Sequence, residues 1–256
     1  MRPLWRIGGS ALAVFLLLFG VVQVVVLIAH DSRTVESTFP AADLNAVEIH
    51  SDSGGRVEVV GTDADEVRIV ARIEDGLRAT CYQERVQGDR LVVSSSCPVM
   101  LSVFCLVSYR VEVPAAMTVV VTDDAGSISV SDVDGDVDVR TDAGGVDLVR
   151  IGGIVNARSD AGSVSGVGLT SSHVTAGSDA GRVALDFSRA PAAVVATSDA
   201  GSVDVVVPAT GEVYNVSASS DAGAETIDVD TSPSSERSVV ANSDAGSVSV
   251  RYATSG

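Results

Sequence analysis

Four aspartates at alternate positions around one glycine are the residues of this sequence best suited to chemistry. They are Asp132, Asp134, Asp136 and Asp138, and Gly135 lies among them. Carboxylate oxygens are the ligands that hard cations such as Ca²⁺ prefer, so this group is a candidate for weak cation binding at the surface. Its spacing departs from the calcium-loop pattern D-x-[DN]-x-[DN]-G, and nonapeptide calcium rolls carry more glycine and fewer apolar residues in each unit. We therefore predict a core that stands without metal and a protein that needs no cofactor.

Catalytic chemistry has no distinct site in the sequence. The chain carries 34 acidic residues, so a pair of carboxylates of the kind that cleaves glycosides is uninformative by itself. His50 and His173 belong to no recognisable nucleophile or base motif, and the serine-containing segment 162–166 does not match G-x-S-x-G. A catalytic constellation would interrupt the repeat described below, and residues 110–252 show no such break. The sequence predicts a protein that is not an enzyme, with a glycan-cleaving β-helix enzyme as the remote alternative.

Three cysteines follow the apolar N-terminus, which allows one disulfide and leaves one thiol over. Cys97 and Cys105 enclose a short loop that suits a bridge, and Cys81–Cys97 is the rival pairing. A catalytic thiol would need a histidine within reach, and no motif supplies one. We expect a structural bridge in an oxidising compartment.

A tripeptide repeat predicts the strands and turns that would position all of these residues. Asp-Ala-Gly occurs seven times, at intervals of 18 to 23 residues. Its aspartate and glycine pairs are Asp124 and Gly126, Asp142 and Gly144, Asp160 and Gly162, Asp179 and Gly181, Asp199 and Gly201, Asp221 and Gly223, and Asp244 and Gly246. Valine stands five residues before each aspartate, and valine or alanine three residues before it, which is the alternation of a strand with one buried face. A period near 20 residues with such apolar columns is typical of a solenoid.

The repeat predicts an all-β fold, a parallel β-helix of about seven coils of 18–23 residues, preceded by one N-terminal transmembrane helix. Each coil would consist of short strands and a tight Asp-Ala-Gly corner. The glycine is expected to supply a positive φ at the corner, and the aspartate to accept main-chain N–H groups as in an Asx turn. Serine or threonine precedes most of the corner aspartates, which predicts a ladder of hydroxyls beside the ladder of carboxylates.

The start and the end of the repeat divide the chain into segments. We predict a cytoplasmic stub and signal anchor at 1–29, a linker at 30–40, a divergent first coil with a cysteine-containing cap at 41–109, the β-solenoid at 110–252 and a tail at 253–256. From Gly162 onward the extra residues of each coil fall opposite the Asp-Ala-Gly corners, on an edge that solenoids often use for contacts. The last predicted strand contains Val248, Val250 and Tyr252 and has little after it. We expect an open C-terminal edge there that could join two copies of the chain as a homodimer.

The N-terminal segment has the composition of a membrane span. Residues 7–29 carry no charge, and this length exceeds the roughly 20 apolar residues that cross a bilayer. Arg2 and Arg6 precede the segment, so the positive-inside rule predicts a cytoplasmic N-terminus and extracytoplasmic residues 30–256 in a single-pass membrane protein. Its length favours a signal anchor over a cleaved signal peptide, and cleavage after Ala29 stays open as the alternative.

The net charge limits the class of partner. The chain has a formal net charge of −17, whereas nucleic acid and anionic lipid headgroups both select basic surfaces. We therefore expect no nucleic-acid partner, and no docking on lipid headgroups beyond the membrane contact of residues 7–29.

The lead-in Tyr109–Pro114 and the first repeat Val119–Val130, with its successors to Val250, resemble the DUF4097 family of adhesin-like β-strand repeat proteins of bacterial envelopes. About residues 40–252 fit that pattern. The resemblance implies a membrane-tethered, extracytoplasmic β-solenoid without catalytic residues. Such a protein would bind a glycan or protein of the envelope, or serve a structural role. Some relatives look like regulatory or stress-sensing envelope subunits, which makes action through a membrane partner the alternative function.

Overall fold

A computed structural model describes residues 31–75, 80–97 and 105–253 of the chain. Its strands are β1 (Asp31–Pro40), β2 (Ala46–Ser51), β3 (Gly55–Thr62), β4 (Glu66–Asp75), β5 (Cys81–Gln87), β6 (Arg90–Ser96), β7 (Leu106–Pro114), β8 (Thr118–Ser131), β9 (Val137–Ala143), β10 (Val146–Val149), β11 (Val155–Ser159), β12 (Val164–Leu169), β13 (His173–Ser178), β14 (Val183–Phe187), β15 (Ala193–Ser198), β16 (Val203–Val207), β17 (Asn215–Ser220), β18 (Glu225–Asp228), β19 (Ser238–Ser243) and β20 (Val248–Tyr252). A short 3-10 helix, Ala41–Asp43, follows β1. Among these residues no helix is long and apolar enough to cross a membrane. The predicted span, residues 7–29, lies outside the described residues.

Two sheets enclose one core. Sheet A has the order β1–β4–β7–β3–β8–β10–β12–β14–β16–β20–β18, and sheet B has the order β5–β6–β2–β8–β9–β11–β13–β15–β19–β17. Strand β8 turns a corner and contributes to both sheets. Each coil therefore consists of one sheet B strand followed by one sheet A strand, and coils stack through parallel pairing. The all-β, parallel-strand part of the prediction is confirmed.

The apolar columns of the sequence form the core. The valines that stand five residues before the corner aspartates, such as Val137 and Val155, stack in register and are buried. The residues three positions before the same aspartates, such as Val139 and Ala157, are buried too. Larger side chains fill the edge opposite the corners, where Ile151, Leu169, Phe187 and Tyr214 are buried. Parallel stacking brings like residues together because each coil repeats the pattern of the coil below it. Over residues 110–252 the strands make seven such coils, as the sequence predicted.

The order of the coils in space differs from their order in the chain at the C-terminal end. The last coil, β19 and β20, is inserted between the coil of β15 and β16 and the coil of β17 and β18. The strand that contains Val248, Val250 and Tyr252 is therefore an interior strand, and its prediction as an open edge was wrong. The edge strands at this end are β17 and β18. The sheet B pattern cannot distinguish these arrangements, because every coil of the repeat places valine five residues before its corner aspartate.

The N-terminal end shows the same exchange of order. The coil of β2 and β3 packs directly on β8, and the coil of β6 and β7 lies outside it. The cysteine-containing cap predicted within 41–109 is therefore more than a cap, since β6 and β7 supply a full coil. Strands β4 and β1 continue sheet A in antiparallel fashion, and β5 does the same for sheet B. The predicted linker 30–40 is thus largely a paired strand.

Candidate functional site

The corner glycines are required for close stacking of the coils. A Cβ on Gly162 would lie 2.0 Å from the carbonyl oxygen of Gly144, and a Cβ on Gly181 would lie 2.2 Å from that of Gly162. The same clash, at 1.8 to 2.2 Å, recurs at Gly126, Gly144, Gly201, Gly223 and Gly246. Of the seven, only Gly144 has a positive φ, at 153°. The expected reason for glycine was therefore wrong at the other six corners: contact with the next coil excludes a side chain there.

The corner aspartates do not cap the turn. Main-chain N–H groups at the corners donate to carbonyls of the neighbouring coil, as Asp160 N does to Thr141 O at 3.0 Å and Ala161 N to Asp142 O at 2.9 Å. Within the described part of the chain, no corner aspartate accepts a main-chain N–H, so the predicted Asx role is wrong. Asp179 instead accepts a 2.6 Å bond from Arg158. The corner carboxylates follow one another along this edge of the stack. Among the residues described here, they form no group that could hold a metal ion.

The predicted hydroxyl ladder is present and faces inward. Each hydroxyl donates to a corner glycine carbonyl of the adjacent coil. The donors and acceptors are Thr141 to Gly126, Ser159 to Gly144, Ser178 to Gly162, Ser198 to Gly181, Ser220 to Gly246 and Ser243 to Gly201. All but the first of these bonds measure 2.6 to 2.7 Å.

One carboxylic acid interrupts this ladder. Asp123 pairs in register with Ser51 and Thr141 and is 1% exposed, yet neither of its oxygens has a hydrogen-bond partner in the part of the chain that the structure describes. Burial raises the pKa of the Asp123 carboxyl to about 6; the hydroxyl of Ser51 opposes this shift, and the charges of Asp124 and Asp52 add to it. Asp123 was not predicted as a special residue, although an aspartate where other coils have serine or threonine was a visible signal.

The structure does not bring the four alternate aspartates together. Asp132 forms a bidentate pair with Arg150, with bonds of 2.6 and 2.8 Å. Asp136 accepts the N–H of Ile154 at 2.9 Å, and Asp138 points outward from sheet B. Across the described residues, no group of three or more histidine, cysteine, aspartate or glutamate side chains could hold a metal ion. Arg150 and Asp132 both have a positive φ, at 54° and 60°, so their ion pair joins two unusual turns of successive coils.

Of the two predicted disulfides, the structure contains the one that encloses the shorter loop. Cys97 and Cys105 form a disulfide, and Cys81 is free and exposed. The bridge joins the end of β6 to the start of β7, and the hydroxyl of Thr80, just before β5, lies 3.2 Å from the Cys105 sulfur. Its place among the cap strands indicates a structural role.

The enlarged loops lie together along one edge of the stack. We call the segments 170–172, 188–192, 208–214 and 229–237 the loop edge; they connect sheet A strands to the following sheet B strands, opposite the corners. Arg237 ties three of these segments together. Its Nε donates to Glu212 at 3.1 Å, and its Nη1 donates to the carbonyls of Ala190 and Pro191 at 3.2 and 2.9 Å.

Two tyrosines complete the support of these loops. The Tyr252 hydroxyl donates to Glu212 O at 3.0 Å and accepts the Asp230 N–H at 3.1 Å. Tyr214 is fully buried, its hydroxyl lacks a partner, and burial is the main cause that raises the pKa of its phenol. Loop growth was the sequence signal for this region, but the roles of Arg237 and the tyrosines depend on long-range contacts and were missed.

A polar cleft lies within the loop edge. We call it the loop cleft; its volume is about 710 Å³, and its lining includes Gly211, Glu212, Ser232, Ser234, Glu236 and Arg237. Hydroxyls, carboxylates and a guanidinium can donate and accept hydrogen bonds with a polar ligand. The arrangement can therefore bind a hydroxyl-rich molecule.

The fold has counterparts among solved structures. A proposed adhesin from Bacteroides fragilis matches with a TM-score of 0.53 and 16% identity, over 86% of this chain and 97% of the other. A proposed cell adhesion protein from Clostridium sporogenes has a TM-score of 0.42 and 10% identity, over 87% and 100% of the two chains. A proposed lipid binding protein from Parabacteroides distasonis has a TM-score of 0.41 and 8% identity, over 87% and 97%. No protein-family model and no curated protein matches the chain. The likeness to the first structure shows a shared fold, and membership of the DUF4097 family stays a prediction.

Proposed function

We propose that this chain is a non-catalytic, adhesin-like binding module of the bacterial cell envelope, and that the loop cleft is its ligand site. The observation that carries the proposal is the loop edge itself. Its last two loops lengthen to the segments between Val207 and Asn215 and between Asp228 and Ser238, and Arg237 holds them together. Ordered loops on a rigid scaffold are where binding residues concentrate.

The chemistry of the loop cleft favours an envelope glycan. Ser232, Ser234 and two carboxylates offer hydrogen bonds of both polarities in an open, polar depression. The cleft is shallow enough to admit part of a long polymer. The fold shared with a proposed adhesin agrees with this proposal.

The location of the module is part of the same proposal. Residues 7–29 would anchor the chain in the cell membrane, with the N-terminus in the cytoplasm and residues 30–256 outside. The Cys97–Cys105 disulfide supports an oxidising, extracytoplasmic environment.

A retention assay tests the proposal. The full chain in lipid nanodiscs is immobilised and exposed to purified cell-wall glycan and to a detergent extract of bacterial membranes. We expect glycan to be retained and Glu236→Arg or Ser234→Val to reduce retention at least about fivefold, because each change alters the cleft lining. Ser165→Val, on the outer face of β12, is the matched control. Unchanged retention in the cleft variants would refute the site, and recovery of one specific membrane protein would instead favour the regulatory subunit.

A further inference from the structure

The apolar core is uncovered at the C-terminal end of the stack. We call β17 and β18 the terminal coil. Ile227 continues the column of Val250, and Val216 continues the column of Val239. Val239 and Val250 are fully buried, whereas Ile227 is 46% exposed and Val216 is half-buried. The terminal coil therefore presents the face on which another strand would stack.

The opposite end of the stack is covered. There β4 and β1 extend sheet A and β5 extends sheet B, and Ile69 and Ile73 of β4 are fully buried. The chain enters the fold at that covered end, because β1 begins at Asp31, directly after the predicted membrane span. The terminal coil consequently lies at the end of the stack remote from the predicted anchor.

The main chain of β18 is arranged to accept a further strand. Inward-facing residues of sheet A donate their main-chain N–H to the next coil in space toward the C-terminal end of the stack. Val203 N donates in this way to Ser247 O, and Val248 N to Ala224 O, both at 2.9 Å. Glu225 occupies the same column as Val203 and Val248. By this regularity, the N–H groups of Glu225 and Ile227 face the open edge, where the described chain supplies no acceptor strand.

The charge of the terminal coil selects the partner. Glu225 stands in an apolar column, where an inward charge discourages unspecific strand pairing. Asp221, Asp228 and Asp230 lie nearby, and each is exposed. Two arginines lie in this region: Arg251 of β20 stands in register beside Asp228, and Arg237 is engaged by Glu212 and two carbonyls, so the four acidic residues of the terminal coil and the loop after it outnumber them. Two copies of this coil would oppose like charges, whereas a basic strand would neutralise them.

We propose that the terminal coil binds an extended basic segment of a partner protein, which adds a strand to sheet A beside β18. Main-chain hydrogen bonds would supply affinity, and alternate side chains would supply specificity. The segment places lysine or arginine against Glu225 and an aliphatic residue two positions away against Ile227. This inference rests on the proposed binding function and gives it a protein partner at the far end, separate from the glycan in the loop cleft.

A labelled peptide tests the inference on the full chain in nanodiscs. The probe is the octapeptide Thr-Val-Ser-Lys-Thr-Val-Ser-Thr, and its glutamate analogue replaces the lysine. We expect saturable binding of the lysine peptide by fluorescence anisotropy. Ile227→Pro should weaken it at least about tenfold, because proline removes the N–H at the open edge. Ile227→Val, which keeps that N–H and an apolar side chain, should bind within about twofold of the wild type.

A charge exchange separates this site from the loop cleft. Glu225→Lys should lose the lysine peptide and gain the glutamate peptide, whereas Glu236→Arg should leave both affinities unchanged. Glycan retention should be unaffected by Glu225→Lys, so that the two proposals fail independently. Absence of saturable binding would overturn the inference. A dimer in sedimentation that Ile227→Pro dissociates would overturn it too, because the occupant would then be a second copy of the chain.

Discussion

Asp123 and Thr141 are register partners at one inward position of successive coils, and only Thr141 carries a proton to donate at every pH. The Thr141 hydroxyl donates to the carbonyl of Gly126, whereas the Asp123 carboxyl has no partner. One Asp123 oxygen lies 2.6 Å from the point where Gly126 would carry a Cβ. The hydroxyls of Ser159 and Ser220 lie at 3.0 and 2.8 Å from the equivalent points on Gly162 and Gly223. A protonated Asp123 can therefore replace a ladder hydroxyl, and an ionised one cannot.

We expect the stability of the protein to fall as the pH rises from about 4 to about 6. Burial raises the pKa of Asp123 from 3.8 to about 6, so in this window the folded state holds a proton that the unfolded chain has released. The free energy of unfolding then decreases with pH by up to about 3 kcal/mol from this group and stays level above its folded pKa. Urea unfolding at a series of pH values measures this contribution.

The variant Asp123→Ser isolates the effect. It should raise the free energy of unfolding at pH 7 by up to about 3 kcal/mol and change it little at pH 4, because it restores an uncharged donor. Thr141→Asp, in the adjacent coil, places a second buried carboxyl in the ladder and should make the fall in stability between pH 4 and pH 6 steeper. An equal effect of Asp123→Ser at both pH values would contradict the assignment.

Substitution of a corner glycine should destabilise the stack through a steric clash. We expect Gly162→Ala to lower the free energy of unfolding by about 3 kcal/mol or more, since its Cβ would lie 2.0 Å from the Gly144 carbonyl oxygen. Gly145→Ala is the matched control, because its Cβ would be 3.7 Å from its nearest neighbour, Ser163 O, in ordinary van der Waals contact. Thermal unfolding of both variants measures the difference, and equal losses would show that the clash with the Gly144 carbonyl is not the cause.

The sequence was sufficient to predict the coils and insufficient to predict their order. Strand alternation and the Asp-Ala-Gly period are local properties, so the columns of Val137, Val155 and their equivalents were found directly. The position of β19 and β20 depends on which of several nearly identical coils they contact. Equivalent valines make the sheet B contacts alike, and a difference is visible in sheet A, where Glu225 stands at the position of Val248.

The candidate sites, like the fold, could be predicted only in part from the sequence. Loop growth indicated which edge to inspect, and it is the edge that holds the loop cleft. The bonds of Arg237 to Ala190 and Pro191 join residues 47 and 46 positions apart, so no local pattern could reveal them. The alternate aspartates were conspicuous in sequence, yet the turn after β8 directs Asp132 and Asp136 to different partners.

The thiol state of the three cysteines can be read by mass spectrometry. Iodoacetamide should modify Cys81 alone in the native protein, and Cys97 and Cys105 should react only after reduction, because they form the disulfide. Removal of the bridge in a Cys97→Ser and Cys105→Ser double variant should lower the free energy of unfolding by about 2 kcal/mol. Cys81→Ser serves as the control and should unfold like the wild type. Protection of Cys81 before reduction would contradict this pairing.

Arg237 should determine the order of the loop edge without affecting the rest of the stack. Arg237→Ala removes three hydrogen bonds, two of them to main-chain carbonyls, and should lower local stability by about 1–3 kcal/mol. Hydrogen exchange should then accelerate in residues 188–192 and 208–214 and remain unchanged in β9 and β11, which lie several coils away. Arg182→Ala is a suitable control, because over the described ranges the Arg182 guanidinium contacts only the Ser202 and Asp204 side chains at the corner edge. Uniform acceleration across the solenoid would show instead that the loop edge supports the whole fold, and the loop cleft would then be a part of the core scaffold rather than a separately ordered site.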